Sequence, residues 1–173
     1  MNWMLSHQAD AKALRLADRH YSRATPGSPQ FMPPGRQVVL ITPKADALWA
    51  MSWPAERMVR RAWPGAWMCT LFRNESGFKA SQLITEAMAV TRYVWGDPPC
   101  SGGFAAISII DETKVRPTRV RGKAVFGWSW LKAGWEVAGR TKKKRMLVLG
   151  LRPERVPEPE PYLGHLFSYL YAE

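Results

Sequence analysis

The stretch Trp67-Met68-Cys69-Thr70-Leu71-Phe72 is almost continuously apolar. A strand of that composition has no polar face to turn toward water, so it belongs inside a sheet covered on both sides. It runs into Arg73-Asn74-Glu75-Ser76-Gly77-Phe78-Lys79-Ala80-Ser81, after which Leu83, Ile84, Ala87, Met88, Thr91 and Val94 fall on one helical face. Strand, glycine-containing loop and helix follow one another, and the fold class this implies is α/β.

The flanking segments are read in the same way. Ala11, Ala13, Leu14, Leu16 and Ala17 make Gln8 to Tyr21 an amphipathic opening helix. It is expected to end near Arg23, because Thr25-Pro26-Gly27-Ser28-Pro29 and Pro33-Pro34-Gly35 cannot continue a helix. This Pro/Gly loop reads as surface beside a site. Val38 to Thr42 and Ala47 to Trp53 form a predicted hairpin about Lys44-Ala45-Asp46. Gly96-Asp97-Pro98-Pro99 stops the central helix, and Phe104 to Ile110 is a further buried strand ending at Asp111. Ala124 to Ala133 is predicted as a short aromatic helix closed by Gly134, followed by an antiparallel pair over Trp135 to Thr141 and Met146 to Leu151. Residues 1–152 form one domain; residues 153–173 are a Pro/Glu-rich spacer and an aromatic tail that docks on the domain or meets a partner.

With 173 residues, 46% of them apolar and nine Trp, the chain has core enough for one domain. No apolar run approaches the ~20 residues of a membrane helix, and no signal-peptide core is present, so a soluble cytoplasmic protein with no membrane partner is expected. Cys69 and Cys100 lack metal-ligand spacing and read as plain thiols, with no metal expected. The oligomeric state stays open, a homodimer included.

Twenty-five Lys and Arg against 14 Asp and Glu leave a net charge of +11, a field that attracts nucleic acid, anionic lipid or an acidic cofactor. The excess is uneven. Lys114, Arg116, Arg119, Arg121 and Lys123 form one basic segment, and Arg140 with Lys142, Lys143, Lys144 and Arg145 forms another, whereas the residues from Arg152 onward are net acidic. Both segments read as nucleic-acid-binding surface or as solvated loops.

A strand, a glycine loop and a helix N-terminus can together hold phosphate through free N–H groups and the helix dipole. That marks Arg73, Asn74, Ser76, Gly77, Ala80 and Ser81 as candidate cofactor-binding residues. The order helix, hairpin, central strand, loop and helix, strand, short helix ending Ala133-Gly134-Trp135, and antiparallel pair resembles the GNAT acyltransferase superfamily over Gln8 to Leu151. Phe126 to Trp135 is similar to the aromatic helix and Ala-Gly-aromatic turn that close the acyl site there. The resemblance implies a single α+β domain with a mixed, mostly antiparallel sheet flanked by helices. It further implies a V-shaped central opening and a small donor, acyl-CoA or another activated acyl or aminoacyl group. Two features differ from the usual pattern: Trp130 stands where many members carry a tyrosine general acid, and Arg73, Gly77 and Ala80 are one step further apart.

Arg19-His20-Tyr21-Ser22-Arg23 with the Gly27-Ser28-Pro29 loop, and Ile110-Asp111-Glu112-Thr113-Lys114-Val115, resemble a phage-associated branch, the Mom-like DNA-modification proteins. That resemblance implies transfer of an acyl or aminoacyl-derived group to an exocyclic amine of a DNA base, which shields phage DNA from restriction. Tyr21, Ser22 and Asp111 would lie near the transferred group, with His20 beside them.

Such a transfer needs an acceptor for the amine proton and an electrophilic environment for the donor carbonyl. Asp111 at a strand's end suits the first role, with Tyr21 or Ser22 hydrogen-bonding the carbonyl and Lys114 or Arg23 holding phosphate. Asp111 equally suits a turn cap, and His20 and Tyr21 suit packing of a helix end against the sheet. An unstacked base needs aromatic surface, for which Trp49 and Trp53, on one strand face, and the Phe31-Met32 pair are candidates. Trp63, Trp67, Trp128, Trp130 and Trp135 read as core. Two other functions remain open: a conventional acetyl-CoA-dependent N-acetyltransferase acting on a small amine or a protein, and a non-catalytic nucleic-acid-binding accessory protein.

Overall fold

A computed structural model describes residues 1–54, 63–99 and 103–165; Cys100 and the tail beyond His165 lie outside them. The predicted hairpin is present as β2 (Arg36–Ile41) and β3 (Ala47–Trp53), paired antiparallel from Arg36↔Trp53 to Ile41↔Leu48. Its turn is pinned by Thr42, whose Oγ1 donates to Asp46 at 2.6 Å and accepts from the backbone N–H of Asp46 and Ala47. Because side chains alternate along a strand, Val38, Leu40, Trp49 and Met51 enter one core cluster while Val39, Ile41, Leu48 and Ala50 enter another. Helix α1 (Ala11–Asp18) covers the second with Ala13, Leu16 and Ala17; helix α2 (Ala80–Trp95) covers the first with Leu83, Ile84, Ala87 and Met88.

The central strand β4 (Trp67–Asn74) lies next to β3, and α2 carries the chain over to β5 (Ala106–Ile110), parallel to β4. Two more strands, β8 (Glu136–Arg140) and β9 (Leu147–Leu151), and an edge strand β1 (Met4–Ser6) complete a sheet of order β1-β2-β3-β4-β5-β9-β8, in which, among the described residues, only the neighbouring strands β4 and β5 run parallel. The fold is therefore α+β, with a mostly antiparallel sheet flanked by helices.

Three local expectations are corrected. The opening helix is shorter than Gln8 to Tyr21: Asp10 caps it by accepting from the Lys12 N–H at 2.7 Å, and it ends at Asp18. Ahead of it lies an unanticipated edge strand, β1 (Met4–Ser6), anchored by the fully buried Trp3, whose Nε1 donates to the Leu83 carbonyl at 2.9 Å. The stretch from Ala124 is not helical from its start. Instead β6 (Thr118–Val120) and β7 (Lys123–Val125) form a separate two-stranded ribbon. Its turn residues Arg121 and Gly122 both have positive φ, +47° and +80°, as the tightest hairpin turns require. Helix α3 (Trp128–Lys132) starts only after Gly127, whose φ of +69° breaks the helical path.

The described part of the C-terminal segment packs on the domain. Val156 joins the core, the Glu160 N–H donates to the Ala89 carbonyl, and the Leu163 N–H donates to the Trp3 carbonyl at 2.7 Å. Among the described residues no helix is long and apolar enough to cross a membrane.

Candidate active site

Strands β4 and β5 hold together through only three residue pairs, Trp67↔Ala106, Met68↔Ile107 and Cys69↔Ser108. Beyond them β4 continues beside β3 alone and β5 beside β9. The cause lies on the other edge of β4. Its register with β3 passes from Met51↔Cys69 to Ala50↔Leu71, so Thr70 is an extra residue, a β-bulge. Such a bulge bends its strand and increases the twist. Thr70 Oγ1 donates to the Ala50 carbonyl at 3.2 Å, which ties the bulge down. The two parallel strands part at this point and leave a wedge with Cys69 and Ser108 at its apex.

Tyr21 crosses the wedge, its hydroxyl 3.5 Å from the Ile109 carbonyl. Cavities of about 220 and about 550 Å³ meet there and share Tyr21, Ser22, Cys69, Thr70, Leu71 and Ile109. The smaller is walled by His20, Phe72, Arg116, Thr118 and the Gly127–Trp130 turn; the larger by Phe31, Asp111, Lys114, Lys144 and Met146. Gly127 is dictated by more than its φ. A Cβ there would lie 2.5 Å from Leu149 Cδ1 and 3.0 Å from Ile110 Cδ1.

The side chains at the junction have defined protonation. His20 Nδ1 accepts from the Ser22 N–H at 3.2 Å and lies 2.7 Å from Ser22 Oγ. Burial, reinforced by the Arg73 guanidinium, pushes the His20 pKa down to about 4, so the ring is neutral at neutral pH. Burial raises the Tyr21 phenol, which stays protonated. It also pushes the Cys69 thiol well up, leaving an inert group at the apex. Asp111 Oδ1 accepts from Thr113 Oγ1 at 2.6 Å and from the Thr113 N–H at 3.0 Å. These bonds, with Lys114 and Lys144 nearby, hold the carboxyl below its usual range. Asp111 is thus both a turn cap and an ionised wall of the larger cavity.

The other predicted site residues divide sharply. Lys114 and Lys144 rim the larger cavity and Arg116 the smaller. Arg119 and Arg121 stand exposed on the ribbon, and Lys142, Lys143 and Arg145 stand exposed in the β8–β9 turn. Arg23 also borders the larger cavity, but its nitrogens donate to Asp18 and to the Ser28 and Gln30 carbonyls, and its side chain is 7% exposed. It staples the Pro/Gly loop.

The glycine loop is closed on itself. Arg73 donates to Glu75 and to the Arg19 carbonyl, and Asn74 accepts from the Ser76 N–H and Oγ while donating to the Phe78 carbonyl. Ser76 Oγ in turn takes the Phe78 N–H. None of Arg73, Asn74, Ser76, Gly77, Ala80 and Ser81 lines either cavity. Arg73 and the Ser76 and Phe78 amides are thus engaged within and beside the loop, while α2 begins at Ala80 with no side-chain cap from Lys79.

Among the aromatic residues, Trp49 and Trp53 do not line the opening. Trp49 is fully buried against Phe72 and Trp130, because α2 covers that face of β3; Trp53 packs on Trp67 and Trp95 beneath the Arg36 guanidinium. Of the Phe31-Met32 pair, Met32 is buried and Phe31 faces the larger cavity. Trp128, read as core, is half-buried and lines the smaller cavity. Sequence reading missed Cys69 and Ser108 at the apex; the one available signal was a serine inside the otherwise apolar Ala106–Ile110 run. Comparisons with protein-family models, curated proteins and solved structures give no significant match to this chain.

Proposed function

We propose that this chain transfers an activated acyl or aminoacyl-derived group to an exocyclic amine of a DNA base, as a Mom-like member of the GNAT acyltransferases. The observation that carries the reading is the pair of cavities meeting at Tyr21 and Ser22, which gives a donor and an acceptor separate approaches to the same atoms. The element order and the parting of one parallel pair agree with the V-shaped opening that the resemblance implies. A setting in the cytoplasm of a phage-infected bacterium goes with this reading.

In the proposed reaction the base enters the larger cavity, where Phe31 offers an aromatic wall for an unstacked base and Lys114 and Lys144 meet phosphate. The donor carbonyl lies in the smaller cavity against Trp128 and Trp130, with its oxygen facing the protonated Tyr21 hydroxyl and Ser22. The nitrogen–carbon bond forms, the bond from the carbonyl carbon to its leaving group breaks, and the leaving group departs with the electron pair. The amine proton passes to the ionised Asp111 carboxylate. No step here is routed through CoA. The accessory-protein alternative leaves the Tyr21 bridge and the two cavities without a use.

The test is mass spectrometry of nucleosides from DNA of cells expressing the wild type, Tyr21→Phe or Asp111→Ala. A modified nucleoside made by the wild type and lost or sharply reduced in both variants is the expected result. Unmodified DNA alongside expressed, folded wild-type protein overturns the reading.

A further inference from the structure

The β6–β7 ribbon is, with Lys142 to Lys144 in the β8–β9 turn, a run of exposed cations without an ion pair among the described residues. Arg116, Arg119, Arg121 and Lys123 are exposed, no carboxylate lies between Thr113 and Val125, and none of the four forms an ion pair among the described residues. Nor does the ribbon exist to bury apolar surface, since Arg119, Arg121, Gly122, Lys123 and Ala124 are all exposed. Folding therefore gains little from these cations, which repel one another across a short hairpin.

The ribbon's shape is specific. Arg119 faces Ala124 across the two strands, and the small partner leaves the guanidinium clear on its face; Arg121 occupies the tip. Each strand has three residues, about 10 Å at ~3.4 Å per residue, against a B-DNA major groove ~8.5 Å deep and ~12 Å wide that admits a two-stranded ribbon. The major groove of A-form RNA is too deep and narrow for side chains to read. The ribbon's foot is fixed at the opening: the chain passes from Asp111 and Lys114 on the larger cavity to Arg116 and Thr118 on the smaller, and returns from β7 into Gly127.

We infer that the β6–β7 ribbon is an arm that enters the major groove of duplex DNA and holds the duplex beside the opening between β4 and β5. The inference rests on the proposed function for its DNA partner, and it narrows the substrate to duplex. Arg119 and Arg121 reach base edges or the groove-wall phosphates, and Lys123 meets backbone phosphate.

The test is binding of the full chain to a labelled DNA duplex, a single strand of the same length and an RNA duplex, measured against salt by fluorescence anisotropy. The Arg119→Ala/Arg121→Ala/Lys123→Ala variant is expected to lose affinity for the DNA duplex on the order of tenfold or more, with a salt slope lower by about 2 to 3. Its circular dichroism should match the wild type. In the same assay, methylating guanine N7, which lies in the major groove, is expected to interfere, and methylating adenine N3, which lies in the minor groove, is not. Unchanged duplex binding by the variant, tighter binding to the RNA duplex, or indifference to N7 methylation overturns the inference. Because binding is read without chemistry, the two proposals fail separately. Ribbon-dependent duplex binding with no modified nucleoside sinks the transferase reading and leaves the arm, whereas a variant that binds and modifies duplex as well as wild type does the reverse.

Discussion

The corner where α1 meets β4 and the β6–β7 ribbon are both rich in arginine, and they handle it in opposite ways. At the corner Arg19 and Arg73 share the Glu75 carboxylate, whose pKa they hold down to about 2, and Arg23 is bonded to Asp18 and two loop carbonyls. Elsewhere on the body, Arg92, Arg140 and Arg152 also have carboxylate partners. On the ribbon no cation has one among the described residues. Positive charge at these pairs is thus part of the fold, while positive charge on the ribbon and on Lys142 to Lys144 forms no ion pair among the described residues. A net charge of +11 says only that the excess exists; pairing shows where it is available.

The strongest way to break this contrast is at the joint between the regions. Gly127→Ala forces a side chain into positive φ and against Leu149, and should cost about 2–4 kcal/mol in denaturant unfolding. A loss below about 1 kcal/mol would mean that the ribbon's foot is not fixed to the core as described. Next, Arg23→Ala should destabilise by about 1–3 kcal/mol, because it leaves the Ser28 and Gln30 carbonyls without this donor and Asp18 with the Gly27 N–H alone. Arg23→Lys should recover little, since one ammonium cannot serve three diverging acceptors.

Acid should act most on the corner, while Asp10, Asp111 and Glu136, also held below their usual range by hydrogen bonds, add losses at lower pH. His20 titrates near 4 in the fold against an ordinary value of 6.5, so the unfolded chain takes up a proton first and stability falls as pH drops from about 6.5 to 4. Glu75, depressed from 4.5 to about 2, adds a second loss as pH falls below about 4.5. Urea midpoints measured from pH 7 to 3 should therefore decline in two stages, and His20→Asn should flatten the first. If the wild type shows no decline above pH 5, the His20 assignment is wrong. The smallest expected effect sharpens the contrast from the other side: alanine at Arg119, Arg121 or Lys123 should change stability by less than about 0.5 kcal/mol. A larger loss would make those cations part of the fold.

Much of the architecture was legible because its signals are local. The Val38–Thr42 and Ala47–Trp53 alternation, the apolar face from Leu83 to Val94 and its stop at Gly96 each lie within one short window, and each formed the predicted element. The ribbon was misread because Ala-Val-Phe-Gly-Trp has helical apolar spacing, while the turn signal was a single Arg-Gly pair. Strand β1 carries almost no pattern in three residues and exists because Trp3 buries against α2. At the site, the segment His20 to Ser22 and the strand end at Asp111 were marked from sequence, and both line the wedge. The glycine loop was marked too; there Arg73 and the Ser76 and Phe78 amides bond to close neighbours, which no reading in chain order shows.

By itself the sequence determined the layers and the order in which they are strung, because burial period and chain-breaking residues act over a few positions. Tertiary structure decided where the sheet opens and which charges are free. Opening depends on one extra residue, Thr70, counted against a strand about twenty positions away. Freedom depends on whether a carboxylate from a distant segment reaches each arginine, as Glu75 reaches Arg19 across 56 positions. Both are pairings across space, and a single chain read in order does not contain them.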